Sequence, residues 1–386
     1  MVTFVDIYEE SLNKSGEELC GDKVKIFRTD SKASIVLSDG LGSGVKANIL
    51  STLTTEIIST MLKADIPLKD VIDTVLNTLP ICKIRKIAYA TFTIIEIDLK
   101  TNKFKVINFD NPPIFFVKNG RIQFLKYDII EILNKKITFT EGQLDRGDFL
   151  AAISDGVLYA GMGVTLNFGW GWDEIANYLE GILITHSVSA KNIVSEIINK
   201  TYSLYKGNIG DDATVVGVYL RKRNGLILFS GPPTDSSKDN FYVKKVLDFD
   251  GKRVICGGTT ANIVATYLGE VVETLIPTMT KEVPPIGRLS EVDLITEGII
   301  TISKCIEYLK ESDGEISRLP FKIDGAVMLA KELLRADYIY FLVGLSINSY
   351  YQNPLLPKNI SIRKNLILEL AEILKDKHKE IKIEYC

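Results

Sequence analysis

Apolar residues recur with a helical period early in the chain. An apolar residue stands at every fourth position from Ile49 to Met61, which predicts an amphipathic helix over Ala47–Lys63. A second apolar stripe starts at Leu68 and predicts another helix over Pro67–Leu79, with the proline in its first turn. Two consecutive helices are therefore expected between segments of a different character.

The segments around these helices favour strands because they are rich in β-branched and aromatic residues. The clearest is Ile114–Leu125, where Asn119-Gly120 between alternating runs predicts a two-residue hairpin turn. Short turns between sequential strands predict antiparallel sheets. The other strand-like segments of this part of the chain are Ala33–Leu37, Tyr89–Asp98, Lys103–Phe109, Asp148–Ser154 and Thr214–Leu220.

The pattern changes after the polar run Arg221–Gly225, where strands and helices begin to alternate. Such alternation is typical of a parallel or mixed α/β sheet. We therefore place a domain boundary near Arg223, with an α+β domain of antiparallel sheets over 1–222 and a second, α/β domain over 223–386. The strands expected in the second domain are Gly225–Ser230, Arg253–Cys256, Val292–Thr296, Tyr338–Gly344 and Ile381–Cys386, and its longer helices are expected near Ala326–Leu334 and Arg363–Lys375.

Length and charge narrow the class of protein. A chain of 386 residues exceeds the usual single core, which agrees with two domains. The formal charge of -3 gives no electrostatic case for nucleic acid. There is no apolar run long enough to cross a bilayer and no signal peptide at the start, so we expect a cytoplasmic protein that does not bind membranes.

The cysteines and histidines limit the metal chemistry. The five cysteines are scattered without a Cys-x-x-Cys pair, which argues for free thiols and against a zinc site or a disulfide framework: Cys20, Cys82, Cys256, Cys305 and Cys386. His186 and His378 are the two histidines, and neither falls in a motif. Any catalytic metal must therefore depend on carboxylates, which favours Mg²⁺ or Mn²⁺.

Acidic residues follow or precede several of the predicted strands, mostly beside glycine. Asp39 and Asp155 stand in two Ser-Asp-Gly turns, Asp22 follows a glycine, and Asp211 and Asp212 open a strand. Asp-Gly is a common turn, and one such motif is more often a turn than a site. Several carboxylates that converge would repel one another, and a divalent ion would remove that cost.

The order of these motifs carries a resemblance. The segments are CGD, VLSDGLGSGVKA, YATFTIIEID, DNPPIFFVKNG, LDRGDFLAAISDGV and GDDATVVGVYL, and they span about Gly21 to Leu220. Six such segments in order resemble the metal-dependent protein phosphatases of the PPM, or type 2C, class, and within it the bacterial stage II sporulation protein E branch. The resemblance implies an αββα sandwich of two antiparallel sheets flanked by helices. In that branch, the two helices that follow the aspartate bridging the metal ions act as a regulatory switch.

The same resemblance implies the metal ligands. Asp39 would bridge two divalent ions, and the Gly40 carbonyl would bind one of them. Asp22 would serve the first ion directly or through water, while Asp155 and Asp211 would bind the second. With Asp39, Asp155 and Asp211 as the catalytic residues, the implied reaction is attack on phosphorus by a water that two metals activate.

Two positions depart from the wider class. Asp212 stands where many members have Asn, which implies a supporting position behind the ligands. Many eukaryotic members carry a His shortly after the bridging Asp-Gly, whereas this chain has Leu41–Gly44 and the resembled branch also lacks the His. The implied activity is hydrolysis of phosphoserine or phosphothreonine on a regulatory protein. The alternative is an inactive signalling scaffold of the same fold, and the complete set of acids argues against it.

The second domain has one candidate site and no recognised family. Gly257 and Gly258 follow a strand, and Thr259 and Thr260 begin the helix after them. Backbone N–H groups at such a helix start can bind a small anion, for example a nucleotide. Thr296, Glu297 and Asn348 could line the same edge of the sheet. A tight turn capped by threonine is the alternative, and the domain could instead bind a partner or form a homodimer.

Overall fold

The computed structural model describes residues 2–78, 90–133, 135–185, 189–346, 359–377 and 379–386. The chain divides into two compact units, Met1–Lys222 and Arg223–Cys386. Six residues discussed above lie outside the described ranges: Leu79, Cys82, Tyr89, His186, Asn348 and His378.

The first unit contains two antiparallel sheets. Its strands are β1 (Thr3–Leu12), β2 (Asp22–Arg28), β3 (Lys32–Gly40), β4 (Ala90–Asp98), β5 (Lys103–Phe109), β6 (Phe115–Lys118), β7 (Arg121–Ile122), β8 (Asp128–Ile132), β9 (Lys135–Gln143), β10 (Phe149–Ile153) and β11 (Ala213–Lys222). One sheet has the order β1-β11-β10-β6-β7, and the other has the order β2-β3-β4-β5-β9-β8. The predicted α+β class with two antiparallel sheets is confirmed.

Helices cover the outer faces of the two sheets. They are α1 (Gly44–Lys63), α2 (Leu68–Thr78), α3 (Asp155–Leu158), α4 (Trp172–Thr185) and α5 (Ala190–Leu204). An apolar core between the sheets joins residues of β3 and β4 to residues of β10 and β11. A second core lies between the six-stranded sheet and α1 and α2, and a third lies between the five-stranded sheet and α4 and α5. The layers are therefore helix, sheet, sheet and helix.

The predicted apolar stripe of α1 is only partly buried, and the helix starts at Gly44 rather than at Ala47. Ile49 and Leu53 are 59% and 43% exposed, whereas the inner face of this half of the helix is made of small and hydroxyl residues, Ala47, Ser51, Thr54 and Thr55. The three hydroxyls donate to carbonyls three or four residues earlier in the helix, so their burial leaves no hydroxyl without a partner. Residue size and local hydrogen bonds, rather than hydrophobicity, decide which face packs here.

The hairpin and α2 follow the sequence more closely. Asn119 and Gly120 have φ angles of 52° and 73°, as a type I′ turn requires, and they connect β6 to β7. In α2 the predicted stripe is buried at Val71, Ile72 and Val75. The hydrophobic pattern made no prediction for β1, β2, β8, β9, α4 and α5.

The second unit is a seven-stranded sheet with helices on both faces. Its strands are β12 (Gly225–Ser230), β13 (Lys252–Cys256), β14 (Glu273–Leu275), β15 (Ile286–Leu289), β16 (Val292–Thr296), β17 (Tyr338–Val343) and β18 (Glu380–Tyr385). Five of them, in the order β16-β13-β12-β17-β18, are parallel, and β14 and β15 extend the sheet antiparallel. The predicted α/β class of this half is confirmed.

The helices of the second unit are α6 (Asp239–Leu247), α7 (Gly258–Leu268), α8 (Ile299–Glu311), α9 (Gly325–Arg335) and α10 (Asn359–Asp376). Side chains of α8, α9 and α10 share one core with the sheet, and α6 and α7 pack on its other face. Among the described helices of both units, none has the length and apolar character that a bilayer crossing requires.

Candidate metal centre

Two of the predicted acids face each other at one end of the six-stranded sheet. Asp22 is the first residue of β2, and it pairs in register with Asp39, the penultimate residue of β3. The N–H of Gly40 donates to the carbonyl of Gly21 at 3.2 Å and closes this end of the strand pair. The antiparallel register therefore brings together two carboxylates that are 17 positions apart in the sequence.

The other three acids lie at the ends of two paired strands of the five-stranded sheet. Asp155 begins α3, just after β10, and Asp211 and Asp212 precede β11. The N–H of Ser154 donates to the carbonyl of Thr214 at 3.0 Å, and the N–H of Thr214 donates to Ser154 Oγ at 2.8 Å. These two bonds fix the turns that carry the acids.

The two groups of acids, one from each sheet, act on each other electrostatically. Burial raises the pKa of Asp39 to about 9, and the negative charges of four other carboxylates add to this shift: Asp22, Asp155, Asp211 and Asp212. Burial likewise raises the pKa of Asp22 to about 7; the nearby Ser154 and Thr214 hydroxyls oppose this shift, and the Asp212 and Asp155 carboxylates add to it. The pKa of Asp155 is raised by burial and by Asp211. The structure thus brings all five predicted acids to one place.

Buried carboxylate oxygens that lack a hydrogen-bond partner indicate whether these residues suit a cation. Both carboxylate oxygens of Asp22 and Oδ2 of Asp212 are buried without a hydrogen-bond partner among the described residues. Asp212 Oδ1 accepts the N–H of Lys14 at 3.0 Å. Anionic oxygens in a dry site are costly unless a cation or a donor meets them. The donor set therefore fits a hard divalent ion.

The carboxylates of these acids do not lie close enough together to bind one metal ion jointly. Among the described His, Cys, Asp and Glu residues, no group of three or more is placed so that it could hold a metal ion. Asp211 is the more exposed of its acidic pair, and its Oδ1 lies 3.6 Å from Lys14 Nζ. Asp212, which was expected behind the ligands, is buried. Its unpartnered oxygen lies 2.8 Å from the point where a side chain on Gly21 would begin.

Lys14 is a residue of this site that the sequence did not reveal. It follows β1, carries no motif, and reaches the acids only because β1 pairs with β11. Lys46, the cation nearest to the Asp39 turn in the sequence, is exposed on α1. The positive charge beside the acids therefore comes from another part of the chain.

Glycine is required where α1 crosses the end of β3. A Cβ on Gly40 would lie 2.0 Å from the carbonyl oxygen of Ala47, which is too close for any side chain. We expect Gly40→Ala to lower the free energy of unfolding by about 3 kcal/mol, because the helix must move to admit the methyl group.

The control for this prediction is Gly181→Ala, in α4. A Cβ on Gly181 has no neighbour within 4 Å, so that change should stabilise the chain by about 0.5 kcal/mol. Urea denaturation of both variants measures the difference. Equal midpoints for the two variants would contradict the close approach of α1 to Gly40.

The predicted residues of the second unit lie along the carboxyl edge of its parallel strands. Gly257 is the N-cap of α7 with a φ of 124°, and Thr260 is fully buried in the first turn. Thr296 ends β16, and the Glu297 carboxylate accepts the N–H of Ile300 at 2.9 Å. The two predicted groups, acids and glycine turn, therefore belong to separate units.

A sandwich of two antiparallel sheets between helices, with acids from both sheets at one end, defines the class of PP2C-type phosphatase domains. Residues 29–221, half of the chain, match the family model for stage II sporulation protein E. The chain belongs to this family.

Individual relatives cover only part of the chain. The Bacillus subtilis (strain 168) stage II sporulation protein E is 25% identical over 211 residues, which are 54% of this chain and 24% of that protein. This chain therefore matches about a quarter of the length of that relative.

Solved structures give similar coverage. The PP2C phosphatase domain with a fragment of the regulatory domain of SpoIIE from Bacillus subtilis is 21% identical, with a TM-score of 0.49, over 57% of this chain and 64% of that one. RsbX in complex with magnesium is 19% identical, with a TM-score of 0.41, over 56% of this chain and 95% of that one.

Proposed function

We propose that this protein hydrolyses phosphoserine or phosphothreonine on a regulatory protein, using two divalent ions, Mg²⁺ or Mn²⁺. The observation that carries the proposal is the convergence of five carboxylates from two sheets, three of whose oxygens are buried without partners. Membership of the stage II sporulation protein E family supports it. The substrate class follows from this family and from the resemblance described above.

In this proposal the acids divide between two ions. Asp39 and Asp22 would hold the first ion, with Asp22 acting directly or through water, and Asp39, Asp155 and Asp211 would hold the second. The Gly40 carbonyl would bind one of the two ions. Bound ions would activate water and neutralise charge on the phosphoryl group. Asp212 is held by the N–H of Lys14, and this bond fixes its carboxylate beside Asp22. Lys14 places a positive charge at the exposed side of the acids, where an anionic phosphate would approach.

The two units of the chain have different roles in this proposal. We assign residues 1–222 to catalysis and residues 223–386 to regulation or docking, in a cytoplasmic protein. An inactive signalling scaffold is the second candidate. One observation favours it: Asp211, a proposed ligand, is half-exposed and ion-paired with Lys14.

Hydrolysis assays separate the two candidates. We expect the full chain to hydrolyse p-nitrophenyl phosphate and a phosphoserine peptide when Mn²⁺ or Mg²⁺ is present, and to lose this activity in EDTA. Calorimetric titration with Mn²⁺ provides the parallel readout of metal binding. A folded chain that neither binds Mn²⁺ nor hydrolyses either substrate would identify the scaffold.

A further inference from the structure

The parallel strands of the second unit reverse their order at one point of the sheet. Numbered along the chain, the five parallel strands have the order 3-2-1-4-5. The chain leaves β12 toward α6 on one face, and α10, which follows β17, packs on the opposite face. In open α/β sheets, ligands bind at the carboxyl ends of the strands where the order reverses. Here that point lies between β12 and β17.

Glycines let other groups of the protein pack directly against the backbone along this edge. Gly231, Gly257 and Gly344 directly follow β12, β13 and β17, which are neighbours in the sheet. Gly231 has a φ of 85°, and a Cβ there would lie 2.3 Å from Nη1 of Arg363. A Cβ on Gly344 would lie 2.1 Å from the carbonyl oxygen of Pro232. The edge is thus built for close approach to the main chain.

The start of α7 has the features of an anion site. Its N-cap is Gly257, which has no side chain to cap the helix. Thr260 Oγ1 is fully buried without a hydrogen-bond partner, and it lies 3.5 Å from the position that a Cβ on Gly257 would take. A helix start offers backbone N–H donors and positive potential. The orphan hydroxyl is an independent sign that a polar group belongs there.

A cation lies beside the neighbouring strands. Arg363 in α10 donates from Nη1 to the carbonyl of Gly344 at 2.9 Å, and among the described residues it forms no ion pair. Ser230, the last residue of β12, is fully buried, and its Oγ has no partner there. Burial lowers the pKa of Arg363, while the Glu297 carboxylate opposes this shift. The guanidinium therefore keeps donors for another group.

Glu297 lies near both the start of α7 and Arg363. The residue after it, Gly298, packs on the start of α7, with a Cβ position 3.6 Å from the Cα of Gly257. Its carboxylate is used by α8, because it accepts the N–H groups of Ile300 and Thr301 at 2.9 and 3.3 Å. The start of α7 and Arg363 therefore both lie near Glu297, whose carboxylate accepts two backbone N–H groups of α8.

We propose that this edge binds a pyrophosphate-bearing small molecule of the nucleoside diphosphate class. One phosphate lies at the start of α7 beside Thr260, and the next lies against Arg363. Neighbouring strands are about 4.8 Å apart, so the ends of β13 and β12 are separated by roughly the length of a pyrophosphate. A P-loop would place a lysine after the glycines, whereas here the cation comes from α10. The inference is independent of the phosphatase activity proposed above.

Calorimetric titration of the full chain in EDTA tests the proposal, since chelation keeps metal-dependent phosphate binding away from the acids of the first unit. The probes are ADP, inorganic pyrophosphate, inorganic phosphate and adenosine. We expect ADP and pyrophosphate to bind, phosphate to bind at least tenfold more weakly, and adenosine not to bind. Adenosine binding as tight as that of ADP, or no binding of either pyrophosphate-bearing probe, would overturn the proposal.

Three variants locate the site. Arg363→Gln should weaken ADP binding about tenfold, as expected for loss of a hydrogen bond to a charged group. Lys364→Gln, at the exposed neighbouring position of α10, is the matched control and should bind like the parent chain. Thr260→Val keeps the shape of the side chain and removes the orphan hydroxyl. Its ligand-free melting temperature should equal or exceed that of the parent, while its affinity falls about threefold.

The Thr260 variant separates binding from folding. A residue with only a packing role would change the melting temperature and leave the affinity unchanged. Equal affinity of the parent, Arg363→Gln and Thr260→Val chains for ADP would show that the nucleotide binds elsewhere, and the assignment would be wrong.

Discussion

Asp39→Asn is expected to lower kcat/KM for p-nitrophenyl phosphate with Mn²⁺ by about a thousandfold. Asp39 is the acid on which all four other carboxylates act, and the proposed bridging position needs its full negative charge. In EDTA the same change should raise the melting temperature, because the amide is neutral, whereas the Asp39 carboxyl must bind a proton or remain charged among other buried acids in the folded state. Activity assays and thermal denaturation of the same preparation measure the two effects.

The expected fall in activity and the expected rise in melting temperature together distinguish the loss of a metal ligand from damage to the fold. Asp65→Asn is the matched control, because Asp65 lies in the turn after α1 with 87% of its side chain exposed. It should change neither activity nor melting temperature appreciably. If Asp39→Asn kept its activity, the metal-ligand assignment would be wrong. If it lost activity and also melted earlier in EDTA, the loss would reflect damage to the fold.

Without metal, the protein should lose stability as the pH rises. The pKa values of Asp22 and Asp39 are about 7 and 9 in the folded chain, both above the ordinary value of 3.8. Between pH 3.8 and about pH 9 the folded state therefore binds more protons than the unfolded state, so the free energy of unfolding falls as the pH rises. From about pH 6 to about pH 9 we expect a loss on the order of 3 kcal/mol in EDTA.

Mn²⁺ should reverse this slope, because the cation binds the deprotonated carboxylates. Urea denaturation at several pH values, with EDTA and with Mn²⁺, gives both curves. Asp39→Asn should flatten the EDTA curve, since one of the two strongly shifted groups is then absent. Parallel slopes with and without Mn²⁺ would show that the ion does not bind at these acids.

The acids of the first unit were predictable because their signals are local. Each stands beside a strand in a short motif, and the order of the motifs is readable in a single chain. The Asn119-Gly120 turn is equally local, because two adjacent residues fix its geometry. Lys14 and Arg363 were beyond sequence reasoning because their positions depend on strand pairing and strand order. Lys14 meets the acids through the pairing of β1 with β11, and Arg363 meets Gly231 across the edge of a parallel sheet.

The helix predicted at α1 is present, but the hydrophobic pattern did not identify which face packs in its first half. A spacing of four residues identifies a helix, yet it does not state which face packs. Gly40 lets the helix backbone lie directly on the end of β3, and only small or hydroxyl residues fit such a close contact. Ile49 is therefore exposed, because this close contact leaves no space for its side chain, although hydrophobicity alone favours its burial.

The two halves of α1 are consequently held by different forces. The half near Ser51 contributes little apolar area to the core, whereas Ile58 and Leu62 anchor the other half in it. Sliding or tilting the first half would forfeit little hydrophobic free energy, because hydroxyls bonded within their own helix move with it. The first half of α1 is therefore held by close steric fit and by polar contacts, such as the bond from Asn48 Nδ2 to the carbonyl of Cys20 at 2.8 Å, and the second half is held by hydrophobic burial.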